Sequence, residues 1–127
     1  MKKLFLCLAL LLVGCAGITN AINVVSGTSV TPGQAYIAAN AFDAIEATAT
    51  TYLQLPGCTA GGSVVCRSAT AVAKIVPAIR IGRTARNALE AAVTSSGGAP
   101  VSTSLYSALT AQTNTLQQIV NTYGIGK

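Results

Sequence analysis

The chain has 127 residues, a formal net charge of +5, no histidine, no tryptophan and three acidic residues in all. At 51% hydrophobic and 9% charged, it has the length of one small domain and few groups able to act as general bases or metal ligands, so neither catalysis nor a cofactor is expected. Much of the hydrophobic fraction is alanine, which at helical spacing builds closely packed helices rather than lipid-facing surfaces.

Lys2 and Lys3 precede an apolar run from Leu4 to Val13 that closes on Gly14-Cys15. The run is about half the roughly twenty residues that a spanning helix requires, which predicts an export signal over residues 1–14 rather than a permanent span. Its end, Leu12-Val13-Gly14-Cys15, resembles the bacterial lipoprotein processing box. That resemblance implies cleavage before Cys15, acylation of Cys15 (palmitate among the chains) and membrane attachment. Ala16 follows the cysteine, and by likeness to enteric sorting it implies an outer-membrane destination facing the periplasm. The rival reading is ordinary signal cleavage after Ala21, where Thr19-Asn20-Ala21 supplies small residues, giving a soluble periplasmic or secreted chain. Lys2 and Lys3 leave with the signal in either case, so six basic residues face three acids, too weak a balance for a nucleic-acid binder.

Residues 15–30 then read as a lipidated tether. Ala16 to Val30 has no sustained period and reaches on the order of 50 Å when stretched; the competing expectation is an arm lying on the folded part, with Asn23-Val24-Val25 paired as a short strand. The folded domain is expected over residues 31–127.

Thr31-Pro32-Gly33-Gln34 announces the first helix, with threonine as N-cap, proline at the first helical position and glutamine closing a capping box, while Val30 is placed for a hydrophobic staple. Ala38, Ala41, Phe42, Ile45, Ala49, Tyr52 and Leu53 form its apolar stripe, ended by Leu55-Pro56-Gly57. Cys58 and Cys66 flank a glycine-containing segment, remain as an even pair after signal removal, and are expected to form a structural disulfide in an oxidising compartment. Their spacing is not that of a redox catalyst, and two cysteines without histidine do not complete a zinc site.

A second helix is expected from about Ser63 to Ser95, kinked or broken at Pro77, which removes an amide donor and crowds the carbonyl of Ala73. Beyond it, Ala78, Ile81, Gly82, Ala85, Ala88, Leu89 and Ala92 share an arc, with Arg80, Arg83, Arg86 and Glu90 opposite. Ser95 to Pro100 is a turn. Ser102 caps a third helix whose seam is Leu105, Leu109, Gln112, Leu116, Ile119 and Tyr123, with Gln112 as a register-setting polar member and Tyr123-Gly124-Ile125 as a Schellman stop. The expected fold is all-α, a small up-down three-helix bundle with one disulfide after an N-terminal signal and flexible tether.

Arg80, Arg83 and Arg86 are the candidate surface site, a basic stripe able to meet anionic headgroups, an envelope polymer or an acidic partner. The structural reading of the same residues pairs Arg86 with Glu90 and brings Arg83 or Arg86 to Asp43 and Glu46 of the first helix. An acylated Cys15, a helical body and a terminal Lys127 also resemble the plan of the murein lipoprotein, which implies wall attachment through Lys127; here Gly124-Ile125-Gly126 precedes the lysine and the body is not one heptad helix. More broadly the chain resembles small helical exported proteins of Gram-negative bacteria and their phages. The functional expectation is a lipid-anchored envelope protein with a non-enzymatic interaction or structural role. The alternative is a soluble exported domain that binds an apolar small ligand between its helices.

Overall fold

A computed structural model describes residues 27, 29–59 and 65–126. The signal, Cys15, most of the tether and Lys127 lie outside these residues. The elements are β1 (Ser29–Val30), α1 (Pro32–Leu53), α2 (Ala69–Ser95), β2 (Val101–Ser102) and α3 (Thr103–Thr122). Each helix packs against both others in an up-down-up bundle, so the all-α expectation holds with one addition. That addition is a two-stranded antiparallel sheet pairing Ser29 with Ser102 and Val30 with Val101.

The sheet corrects the reading of residues 15–30 as tether throughout. Val30 is fully buried, and the Thr103 hydroxyl donates to the Gly27 carbonyl at 2.8 Å. The chain is therefore fastened to the bundle by residue 27. The physical reason is that Val30 and Val101 close the end of the core where α1 and α3 begin, and burying both side chains contributes more than leaving the arm in water.

Thr31 caps α1 as its sequence demands: the Gln34 amide donates to Thr31 Oγ1, and the Thr31 amide donates to Gln34 Oε1 at 3.0 Å. The buried stripe of α1 is Ala35, Ala38, Ala39, Ala41, Phe42 and Ala49, with Ile45, Tyr52 and Leu53 half-buried at its edge. Small residues let α1 approach its neighbours closely, and Phe42 fills the space they leave.

Cys58 and Cys66 are disulfide-bonded, with Cα atoms 5.0 Å apart. Beside the bridge, the Cys58 amide donates to the Arg67 carbonyl and the Arg67 amide to the Pro56 carbonyl. The Ser68 amide donates to the Tyr52 hydroxyl at 2.7 Å, and the Arg67 guanidinium donates to the Leu53 carbonyl. This corner delays α2, whose N-cap is Ser68 rather than a residue near Ser63. Residues 66 and 67 are committed to the bridge and to extended pairing, so helical backbone starts only after them.

From Ala69 to Ser95 α2 is one helix, and Pro77 does not break it. Pro77 and Ala73 are both exposed, so the Ala73 carbonyl that loses its amide donor faces water, which hydrates it. The buried positions are Ala71, Ile75, Ala78, Ile79, Gly82, Leu89 and Val93. Ile81 is 53% exposed and Ala88 is exposed, which corrects their assignment to the core arc. Because the helix is continuous, Ala71 and Ile75 set its phase together with the residues after the proline.

The core of α3 runs through Tyr106, Leu109, Thr113, Leu116 and Val120, with Leu105, Ile119 and Tyr123 half-buried beside it. Gln112 is only half-buried. Among the described residues the buried polar one is Thr113, whose hydroxyl donates to the Leu109 carbonyl at 2.9 Å. A helix facing two neighbours needs a wider face than a two-helix seam, and that widening brings Tyr106, Thr113 and Val120 inside. Burial raises the Tyr106 phenol above its ordinary pKa. The Schellman stop forms as read: Gly124 has φ 62°, the Ile125 amide reaches the Val120 carbonyl at 2.9 Å and the Gly124 amide that of Asn121, and Ile125 is buried. No described helix is long and apolar enough to cross a membrane.

Candidate functional site

The antiparallel crossing of α1 and α2 places residues 43 and 46 opposite residues 86 and 83, and the side chains there form one network. Arg86 holds Asp43 through two parallel bonds, Nε to Oδ1 at 2.7 Å and Nη2 to Oδ2 at 2.8 Å. Its Nη1 donates to Glu90 Oε2 at 2.8 Å, one turn further along α2. Arg83 donates from Nε to Glu46 Oε1 at 2.7 Å and forms a second ion-pair contact to the same oxygen through Nη2. One planar guanidinium thus serves two carboxylates, a geometry that lysine lacks. Hydrogen bonding to Asp43 leads the causes that raise Arg86 above the ordinary arginine pKa, and bonding to Glu46 leads for Arg83.

Asp43, Glu46 and Glu90 are the three acidic residues of the chain, and each of these side chains is engaged with an arginine along this seam. Asp43 and Glu46 do not stand free as a carboxylate pair; each faces a cation from α2. The arginine stripe divides accordingly. Arg83 and Arg86 hold α1 to α2, whereas the Arg80 guanidinium makes no hydrogen bond or ion pair among the described residues. The comparisons with known proteins give no match: no family model, curated protein or solved structure is similar to the chain.

Beside the network a shallow groove of about 490 Å³ runs between the C-terminal half of α1 and the middle of α2. Leu53, Val76 and Ile79 give it apolar walls, while Arg80, Arg83 and Asn87 line its polar side. It opens widely to solvent. The exposed residues on the adjoining surface of α2 include Lys74, Val76, Pro77 and Ile81. Sequence reasoning missed these four as neighbours of Arg80 because it started the helical wheel after Pro77. The signal was nevertheless present, since Ala71 and Ile75 continue the spacing of Ala78 and Gly82 back through the proline.

Proposed function

We propose that the chain is a lipid-anchored cell-envelope protein with a non-enzymatic interaction or structural role, attached through Cys15 to the periplasmic face of an outer membrane. The carrying observation is the pairing of Ser29-Val30 with Val101-Ser102 at the pole where α1 and α3 begin. A segment arriving from Cys15 then meets the bundle at one end, on a hydrogen-bonded and buried attachment suited to bearing a tether. The Lys2-Lys3 start, the apolar run and Gly14-Cys15 support the anchored reading, and the Cys58–Cys66 bridge suits an oxidising compartment. The interaction role draws on Arg80 and the groove beside it.

The test is intact mass of the protein expressed in a Gram-negative host, with membranes fractionated in parallel and Cys15→Ala as comparison. The expected product begins at Cys15, carries acyl mass and sediments with membranes; the variant loses all three properties. A soluble product beginning at Ile22 in both parent and variant would overturn the anchor and favour the soluble ligand-binding alternative.

A further inference from the structure

We propose that the outer face of α2 from Ala73 to Ile81 is a contact for an anionic phospholipid surface, on which the bundle lies lengthwise. The proposal rests on the anchored reading for how the chain reaches a membrane, and it adds which face turns toward the lipid. Two adjacent rows make the patch: Ala73, Val76 and Arg80 along one line, Lys74, Pro77 and Ile81 along the next, each spaced by three and then four residues. All six are exposed, Val76 by 40% and Ile81 by 53%. Four apolar side chains thus sit between two cations at diagonal corners, and long basic stems can lie along apolar surface while their heads stay at headgroup level.

Charge complementarity selects the partner. Arg83 and Arg86 absorb Asp43, Glu46 and Glu90, so no acid of the chain falls within residues 73–81 or on α3. Neither Arg80 nor Lys74 has an ion-pair partner among the described residues. The exposed positions of α1 and α3 lack the cations: α1 presents Tyr36 and Ile37 as exposed apolar side chains but has no lysine or arginine beside them, and α3 carries no charged residue. An anionic surface therefore favours one face of the bundle. Pro77 keeps the contact shallow, because the Ala73 carbonyl without its amide donor must remain hydrated.

The chain geometry permits the arrangement. Gly27 is fastened beside Thr103, at the end of the bundle where α2 finishes. From Ser95 back to Arg80 the helix rises about 22 Å, and the residues between Cys15 and Gly27 can span at most about 40 Å. A lipid at Cys15 therefore leaves the bundle free to lie on the surface rather than holding it upright.

The chain contains no tryptophan, so Ile81→Trp in the full chain gives a single reporter at the patch. The full chain is reconstituted with vesicles of phosphatidylcholine alone, or with phosphatidylglycerol as a third of the lipid. Emission is read together with sedimentation. The expected result is a blue shift and quenching by brominated lipid on the anionic vesicles and neither on the neutral ones. Adding Lys74→Gln and Arg80→Gln should weaken the shifted state roughly 25-fold, about fivefold for each cation, with unchanged helicity. A chain that sediments with both vesicles yet shows the same emission on each overturns the docking and leaves the anchor standing. A chain that needs phosphatidylglycerol to sediment, and shifts on it, supports the docking and removes the anchor from the explanation. The same shift produced without vesicles by inorganic phosphate or polyglutamate overturns the membrane assignment in favour of a soluble anion.

Discussion

Gly82 lies in the middle of α2, where glycine costs about 1 kcal/mol relative to alanine in helix propensity. Its presence is explained by Phe42, which is fully buried and whose ring occupies the space that a methyl on Gly82 would need, overlapping it at Cε2 and Cζ. The ring has no exposed side to retreat to. Gly82→Ala is therefore expected to destabilise the bundle by about 1–2 kcal/mol, the overpacking cost exceeding the propensity gain. Gly33→Ala, on an exposed turn of α1 with open space around the new methyl, is the control and should be neutral or stabilising. Urea midpoints of the two variants decide the matter; equal midpoints would remove the Phe42 argument. A different economy applies at Arg86, where one side chain, 28% exposed, joins α1 to α2 and also meets Glu90 within its own helix.

At the scale of elements, the α1–α2 corner is held by the disulfide and by bonds that do not depend on it, the Ser68 amide to Tyr52 and the Arg67 side chain to Leu53. The bridge closes a loop of eight-residue separation, for which restriction of the unfolded chain contributes about 2.5 kcal/mol. Reduction should lower unfolding stability by about that amount while helicity at room temperature is kept, as shown by urea titration and circular dichroism with and without reductant. An unchanged midpoint, or collapse of the helical signal on reduction alone, would contradict this division of labour. Most of this architecture was legible in local chemistry: the Thr31 to Gln34 box, the cysteine pair and the Tyr123-Gly124-Ile125 stop each act over a few residues. What escaped was set by tertiary packing. Val30 is buried because Val101 lies opposite it far along the chain, and Thr113 is inside because α3 meets two helices rather than one. The ion network was legible as a pairing of residue types, but which arginine remained unpaired depended on the phase of α2, which the Pro77 reading had interrupted.

Across the whole molecule, charge is scarce and unevenly placed, and this shapes the response to pH. The side chains that titrate near neutrality are missing from the described bundle: the chain has no histidine, and Cys58 and Cys66 are bonded to each other. Stability should therefore be level from about pH 6 to about pH 9. The alkaline limb begins with Tyr106, whose phenol burial raises above its ordinary value. In the unfolded chain a tyrosine ionises near pH 10, while the folded protein keeps the Tyr106 proton to higher pH. Between those two values the unfolded state binds fewer protons, so unfolding free energy falls as pH rises. Arg83 and Arg86 are shifted in the same direction, but an arginine pKa raised above an already high value acts beyond this range. Urea unfolding at a series of pH values, with brief alkaline exposure to spare the disulfide, should give a plateau followed by a decline above about pH 10. Tyr106→Phe should flatten that decline whatever it does to the plateau height. A slope already present between pH 6 and 9, or an undiminished alkaline slope in the phenylalanine variant, would show that another group governs the pH response of the bundle.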